Sequence, residues 1–245
     1  MKKTLLSLMM FTQLSFSAST EQVAQYVMIS HADRDLIEME QMMEEMIPSN
    51  SEKNTEMISI RFNEYLEKNL SDNEITELIK LYKEPLLQTL RELDSDVPET
   101  ELNEFNLTLE ENPLSSERLD LNLDIIKNMF DDENLKILLY GLQEKISELA
   151  GQSSKENLFT KEEEEEFFNA MREELKLPML YTTQTLGMEE LKELYELTDK
   201  AIIRKSNKIE LEASLYAMEN FLQDMMNSIK KTNMQEMTNN SPSEK

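Results

Sequence analysis

The 245-residue chain has no cysteine, no tryptophan, one histidine (His31) and three glycines (Gly141, Gly151 and Gly187). Without cysteine there can be no disulfide, thiolate metal site, cysteine nucleophile or lipid anchor on an amino-terminal Cys. One histidine cannot assemble a His-based metal triad, a Ser-His-Asp triad or an HExxH site. Glycine usually makes up ~7% of a chain; three residues leave little material for phosphate-cradling loops or tightly turned β folds. Carboxylates abound, but a paired-carboxylate glycosidase also needs aromatic platforms for its sugar. The 7 Tyr and 9 Phe fall mostly on apolar faces. Basic residues are also scarce, 25 Lys and Arg against 50 Asp and Glu, for a net charge of −25. Such a surface repels nucleic acid and anionic lipid. The expectation is a non-enzymatic protein that needs no cofactor.

What is present begins with a leader. Met1-Lys2-Lys3 is basic, Leu5 to Leu14 is mostly apolar, and Ser15 to Ser19 is rich in small residues, the layout of a secretory signal peptide. The small-x-small rule is met by Ser15/Ser17 and Ser17/Ser19 but not by Phe16/Ala18. Cleavage is therefore expected after Ser17 or Ser19, with residues 1–19 as the leader and the mature protein periplasmic or secreted. Loss of Lys2 and Lys3 would take the charge from −25 to −27. No later stretch reaches the ~18 uninterrupted apolar residues of a membrane span. At 39% apolar the chain can still build a core.

Helical periodicity fills the remainder. Ser30 with Asp33 reads as a capping box opening a helix with Leu36, Met39, Met43, Met46 and Ile47 on one face, stopped by Pro48. Met57 to Leu66 marks a second helix. Ser71 with Glu74 caps a third carrying Ile75, Leu78 and Tyr82, in which Pro85 predicts a kink or break. Residues 94–115, bracketed by Pro98 and Pro113, read as a connector; the alternation of Phe105, Leu107 and Leu109 suits a short strand, though helix or loop fits the context better. Helices follow over Leu119 to Phe130, over Leu135 to Gly151, from the Thr160/Glu163 cap through Leu175 with Pro178 soon after, from Gly187 to Ile202, and from about Lys208 to Lys231. The prediction is an all-α multi-helix bundle with lobes at 20–93 and 116–231 and a disordered polar tail at 232–245.

Four clusters suggest chemistry. Asp94-Ser95-Asp96 with Glu99 has alternating oxygen ligands but lacks the glycine and closing glutamate of a calcium loop. Asp131-Asp132-Glu133 and Glu162 to Glu166 are dense acids that equally suit helix amino termini. Met39, Met42, Met43 and Met46 could ligate Cu(I) or grip a partner helix, but their spacing suits core packing best. His31 is expected to be an exposed first-turn residue. No residue stands out as catalytic or as a definite metal ligand. The reading is an acidic, exported protein that binds another protein, as a chaperone does. The alternative is a calcium- or copper-binding protein, with a carboxylate-dependent hydrolase third.

Laying Leu70–Leu90 over Leu186–Ser206, an offset of 116, pairs Leu70/Leu186, Glu74/Glu190, Glu77/Glu193, Leu78/Leu194 and Leu81/Leu197. Two acidic leucine-rich helices could give as much by chance, while the matching order of flanking helices and cap weighs equally for an internal duplication. The segment Leu70-Ser71-Asp72-Asn73-Glu74-Ile75 followed by Leu81-Tyr82-Lys83-Glu84-Pro85 resembles the cap-to-turn run of an exported bacterial family, domain of unknown function 2059. Glu84 stands where that family favours Ser, and its glycine after the proline is absent. The resemblance covers Ser30 to Leu93. It implies export and an all-helical body but no reaction.

Overall fold

The computed structural model describes residues 17–46, 58–90, 97–149 and 159–239. Leader residues 1–16, Ile47, Met57, the Asp94-Ser95-Asp96 run and Gly151 lie outside that set. The fold is all-α: eleven helices among the described residues, with the isolated bridge Ser17–Ser71 as the one β contact there. They are α1 (Thr20–Ser30), α2 (Arg34–Met46), α3 (Ile58–Asn69), α4 (Asp72–Leu81), α5 (Pro85–Thr89), α6 (Glu99–Glu111), α7 (Ser116–Met129), α8 (Asp132–Leu149), α9 (Lys161–Thr182), α10 (Met188–Thr198) and α11 (Ala201–Asn239).

Local chemistry sets many boundaries. Ser71 caps α4, its hydroxyl accepting the Glu74 N–H while Glu74 accepts the Ser71 N–H at 2.9 Å. Thr160 and Glu163 do the same for α9. At the start of α10 only half the device remains, because Gly187 has no hydroxyl and its N–H alone reaches Glu190, at 2.7 Å. Pro85 separates α4 from α5 as the first residue of the new helix, where its missing N–H costs nothing.

Several expectations need correction. Ser30 opens no helix: it is the last residue of α1, whose own capping box is Ser19 with Gln22. His31 is exposed as expected, but as the left-handed cap that ends α1, at φ 58°. Pro178 lies inside α9, carried by the burial of Met179 and Leu180 just beyond it. The expected connector contains α6, held to α9 by an edge-to-face contact of Phe105 with Tyr181 at 5.4 Å and by the Tyr181 hydroxyl donating to Glu101. The chain breaks at Asp199-Lys200 before α11, and α11 continues through the expected tail as far as Asn239. The larger buried cluster crosses the boundary drawn between the two lobes, while Leu135, Leu139 and Phe168 form a smaller cluster of their own. The larger one takes in Val23, Phe62 and Leu78 from the first lobe, and Ile125, Leu194 and Phe221 from the second.

The halves are nonetheless built to one plan. α1 packs on α3 and α4, and α7 packs on α9 and α10. Buried Val23, Tyr26 and Val27 of α1 correspond to Asn122, Ile125 and Ile126 of α7, and Leu36 and Glu40 of α2 to Leu135 and Leu139 of α8, each 99 residues on. From Leu66 of α3 onward the step becomes the 116 noted above: Leu66, Ile75, Leu78, Leu87 and Leu90 correspond to Thr182, Leu191, Leu194, Ile203 and Ser206, all buried. The units interlock, α5 lying on α10 and α11 on α4. α11 then runs back along α3 and α8, passing Gly141 so closely that a Cβ there would lie 2.5 Å from a methyl of Leu215.

Candidate functional site

Where the units interlock, a cavity of about 280 Å³ remains. Its walls come from both halves. Leu87 enters from α5 and Leu90 from the cap that ends it, Met129 and Phe130 from the end of α7, Leu135 from α8 and Ile203 from α11. The helix breaks explain the placement: the chain turns just before Pro85 and at Asp199-Lys200 and lays its next apolar residues against the opposite unit.

One wall is polar. Successive turns of α11 present Asn207, Glu210 and Ser214 to the cavity, the i, i+3, i+7 spacing of one helical face. The Glu210 carboxylate accepts a hydrogen bond from the Tyr26 hydroxyl of α1. Tyr26 is completely buried and stands edge-on to Tyr82 at 5.7 Å. Burial, followed by the neighbouring Glu210 charge, pushes the Tyr26 phenol well above its ordinary range. It therefore stays a neutral donor that fixes Glu210 from behind. Two residues along α11, the Tyr65 hydroxyl donates to Glu212 at 3.1 Å, and burial, then Glu212, raises that phenol too.

The acids singled out in the sequence do not converge. Asp131 caps α8 by accepting the Asn134 N–H at 2.9 Å, Asp132 pairs with Arg172 at 2.6 Å, and Glu133 pairs with Lys208. In the Glu162 to Glu166 run, Glu163 belongs to the cap and Glu164 accepts from Tyr140 and pairs with Lys136. These acids occupy the amino-terminal turns of α9, where the helix dipole favours them. Glu99 opens α6. Among the described residues no group of three or more His, Asp or Glu side chains is arranged to hold a metal ion. Met39 is half-buried against the core beside buried Leu36. The side chains of Met42, Met43 and Met46 lie outside the description.

Comparison with known proteins comes back empty. No protein-family model matches the chain, and no curated protein or solved structure is significantly similar to it.

A second polar feature escaped sequence reasoning. Arg118 of α7 donates to the carbonyls of Leu186 and Thr183, closing the carboxyl end of α9. One turn on, buried Asn122 accepts from the Thr183 hydroxyl at 2.7 Å. Farther along α7, buried Asn128 donates to Thr198 at 3.3 Å and accepts from Arg204 at 3.0 Å. The available signal was asparagine recurring on the otherwise apolar face of α7, at Asn122 and Asn128.

Proposed function

We propose that this is an exported, non-enzymatic binding protein whose cavity between the two units receives an apolar side chain from a basic segment of a partner polypeptide. The cavity carries the reading. At about 280 Å³ it falls at or below the small end of the ~300–1,000 Å³ range of small-molecule sites, a size that suits one or two apolar side chains. Charge selects the occupant: Glu210 stands in the wall, and the chain carries −25 overall, which steers basic segments inward and turns acidic ones away. The acid-rich surface, the leader-like start and the resemblance of Ser30 to Leu93 to an exported helical family support the same assignment.

Two labelled amphipathic peptides of equal length, one of Leu and Lys and one of Leu and Glu, test it by fluorescence anisotropy. The basic peptide is expected to bind, more weakly as salt rises, and Ser214→Phe, which fills the cavity, is expected to remove binding while leaving the helical circular dichroism intact. Equal binding of both peptides, or undiminished binding by a folded Ser214→Phe protein, would refute the proposal. The alternative, a calcium or copper site, is checked by thermal shift with Ca²⁺ and Cu(I), since a ligand of the folded state must raise its melting temperature.

A further inference from the structure

Residues at the expected leader junction are built into the fold. Ala18 is buried at 6% exposure, and its N–H donates to the Leu70 carbonyl at 3.1 Å. Ser19 caps α1: its hydroxyl accepts the Gln22 N–H, and the Gln22 side chain accepts the Ser19 N–H at 3.1 Å. Ser17 is exposed. Both cuts allowed by the small-x-small rule therefore differ sharply in consequence. A cut after Ser19 would strip the cap from α1 and empty the place of Ala18. A cut after Ser17 keeps both and turns the Ala18 N–H into an ammonium group.

The surroundings suit that ammonium. Leu70 lies between the carboxyl end of α3, whose dipole favours positive charge, and the Ser71 cap that opens α4, whose dipole opposes it, so the balance rests on a nearby carboxylate. Asp72, two residues past the accepting carbonyl, has its Oδ1 closed off from solvent and without a hydrogen-bond partner among the described residues. It is the closest acid in sequence to that carbonyl, followed by Glu67 on α3 and then by Glu74, which is already engaged by Ser71 and Lys205.

We infer that the mature chain begins at Ala18, and that its new α-ammonium stays in the fold as a donor to the Leu70 carbonyl with Asp72 as counter-charge. Hydrolysis of the Ser17–Ala18 peptide bond by water gives the leader its carboxylate and Ala18 its amine, so the step needs no other reactant. This inference rests on the export reading above, and the test separates the two.

The full-length gene is expressed in a secreting host, and the intact mass of the envelope or medium fraction is measured. A mass starting at Ala18 is expected. A start at Thr20 would overturn the inference and leave export standing; a chain that keeps Met1 would overturn export as well. Chains made to start at Ala18 and at Thr20 are then melted with and without Asp72→Asn. The Ala18 start is expected to melt several degrees higher, and Asp72→Asn is expected to lower only that chain. Equal melting of the two starts, or an equal effect of Asp72→Asn on both, would refute the role given to the amino terminus.

Discussion

The α1–α5 unit and the α7–α11 unit share one plan and differ in chemistry at a few of its matched buried positions. At matched buried positions the first unit has Val23, Leu66 and Leu90, and the second has Asn122, Thr182 and Ser206. The first closes around the aromatic contact of Tyr26 on Tyr82, and its Tyr65 meets Tyr216 of α11 across the units. The second closes around hydrogen bonds from Arg118, Asn122 and Thr183 to helix ends and to one another. The difference shows that this layout depends on apolar residues at a few shared points and accepts polar ones elsewhere when they are paired. An unpaired group of the same kind would cost about 1–3 kcal/mol.

Breaking the shared points has the largest expected effect. Leu78 and Leu194 are matched and fully buried, so Leu78→Ala and Leu194→Ala should each lose on the order of 2–5 kcal/mol. Because one core serves both units, urea melts should show a single transition for either variant. Two separated transitions would mean that the units unfold independently.

Removing the polar filling comes next. Asn122→Ala deprives the buried Thr183 hydroxyl of the Asn122 acceptor and should cost about 1–3 kcal/mol. Asn122→Leu combined with Thr183→Val should cost less than the sum of the single changes, since no polar group is then left behind. Additive losses in a double-mutant cycle would show that the pair is not a unit.

The capping boxes offer a smaller and more direct comparison. Ser71→Ala should cost about 1 kcal/mol, whereas Gly187→Ser should gain a few tenths by supplying the missing hydroxyl. Gly187 has an ordinary extended backbone, and a Cβ there would lie 3.5 Å from Glu190, in normal contact. A lower urea midpoint for Gly187→Ser would count against the equivalence of the two caps.

The smallest effect concerns acid. Burial works against the Glu74 charge, but hydrogen bonds from Lys205 and Ser71 outweigh it and hold the carboxyl below its ordinary range. A lowered carboxyl stabilises the fold above its unfolded value, and that contribution disappears as pH falls through its folded value. Glu74→Gln should therefore flatten the acid side of the stability curve by under ~1 kcal/mol, the scale of a solvent-exposed pair. Urea midpoints measured from about pH 6 to pH 3 check it; parallel curves for the two proteins would remove Glu74 from that role.

Local signals in the sequence carried the fold class, the Ser71/Glu74 and Thr160/Glu163 caps, and the break at Pro85, because each depends on neighbours within a turn or two. The offset of 116 was also visible, while the step of 99 was not, since α1 and α7 share buried positions but few residue types. Misreadings arose where distant packing overrode local preference. Pro178 lacks an N–H for the helix, yet Met179 and Leu180 are buried in the turn that contains it. Ser30 has the composition of an opening cap and instead ends α1. The cavity was the least legible feature of all. Its walls were visible only as separate apolar stripes, and Glu210 was one acid among 50 until Tyr26, 184 residues away, was seen to bond it.

The position of α11 also governs when the molecule can fold. Ala213, Ala217 and Phe221 complete the core against α3, so the amino-terminal unit lacks a wall until nearly the whole chain has been made. Contacts that distant in sequence form late, after loop-closure entropy has been overcome. An emerging chain therefore lacks that wall until its carboxyl end arrives, a delay compatible with the export proposed above.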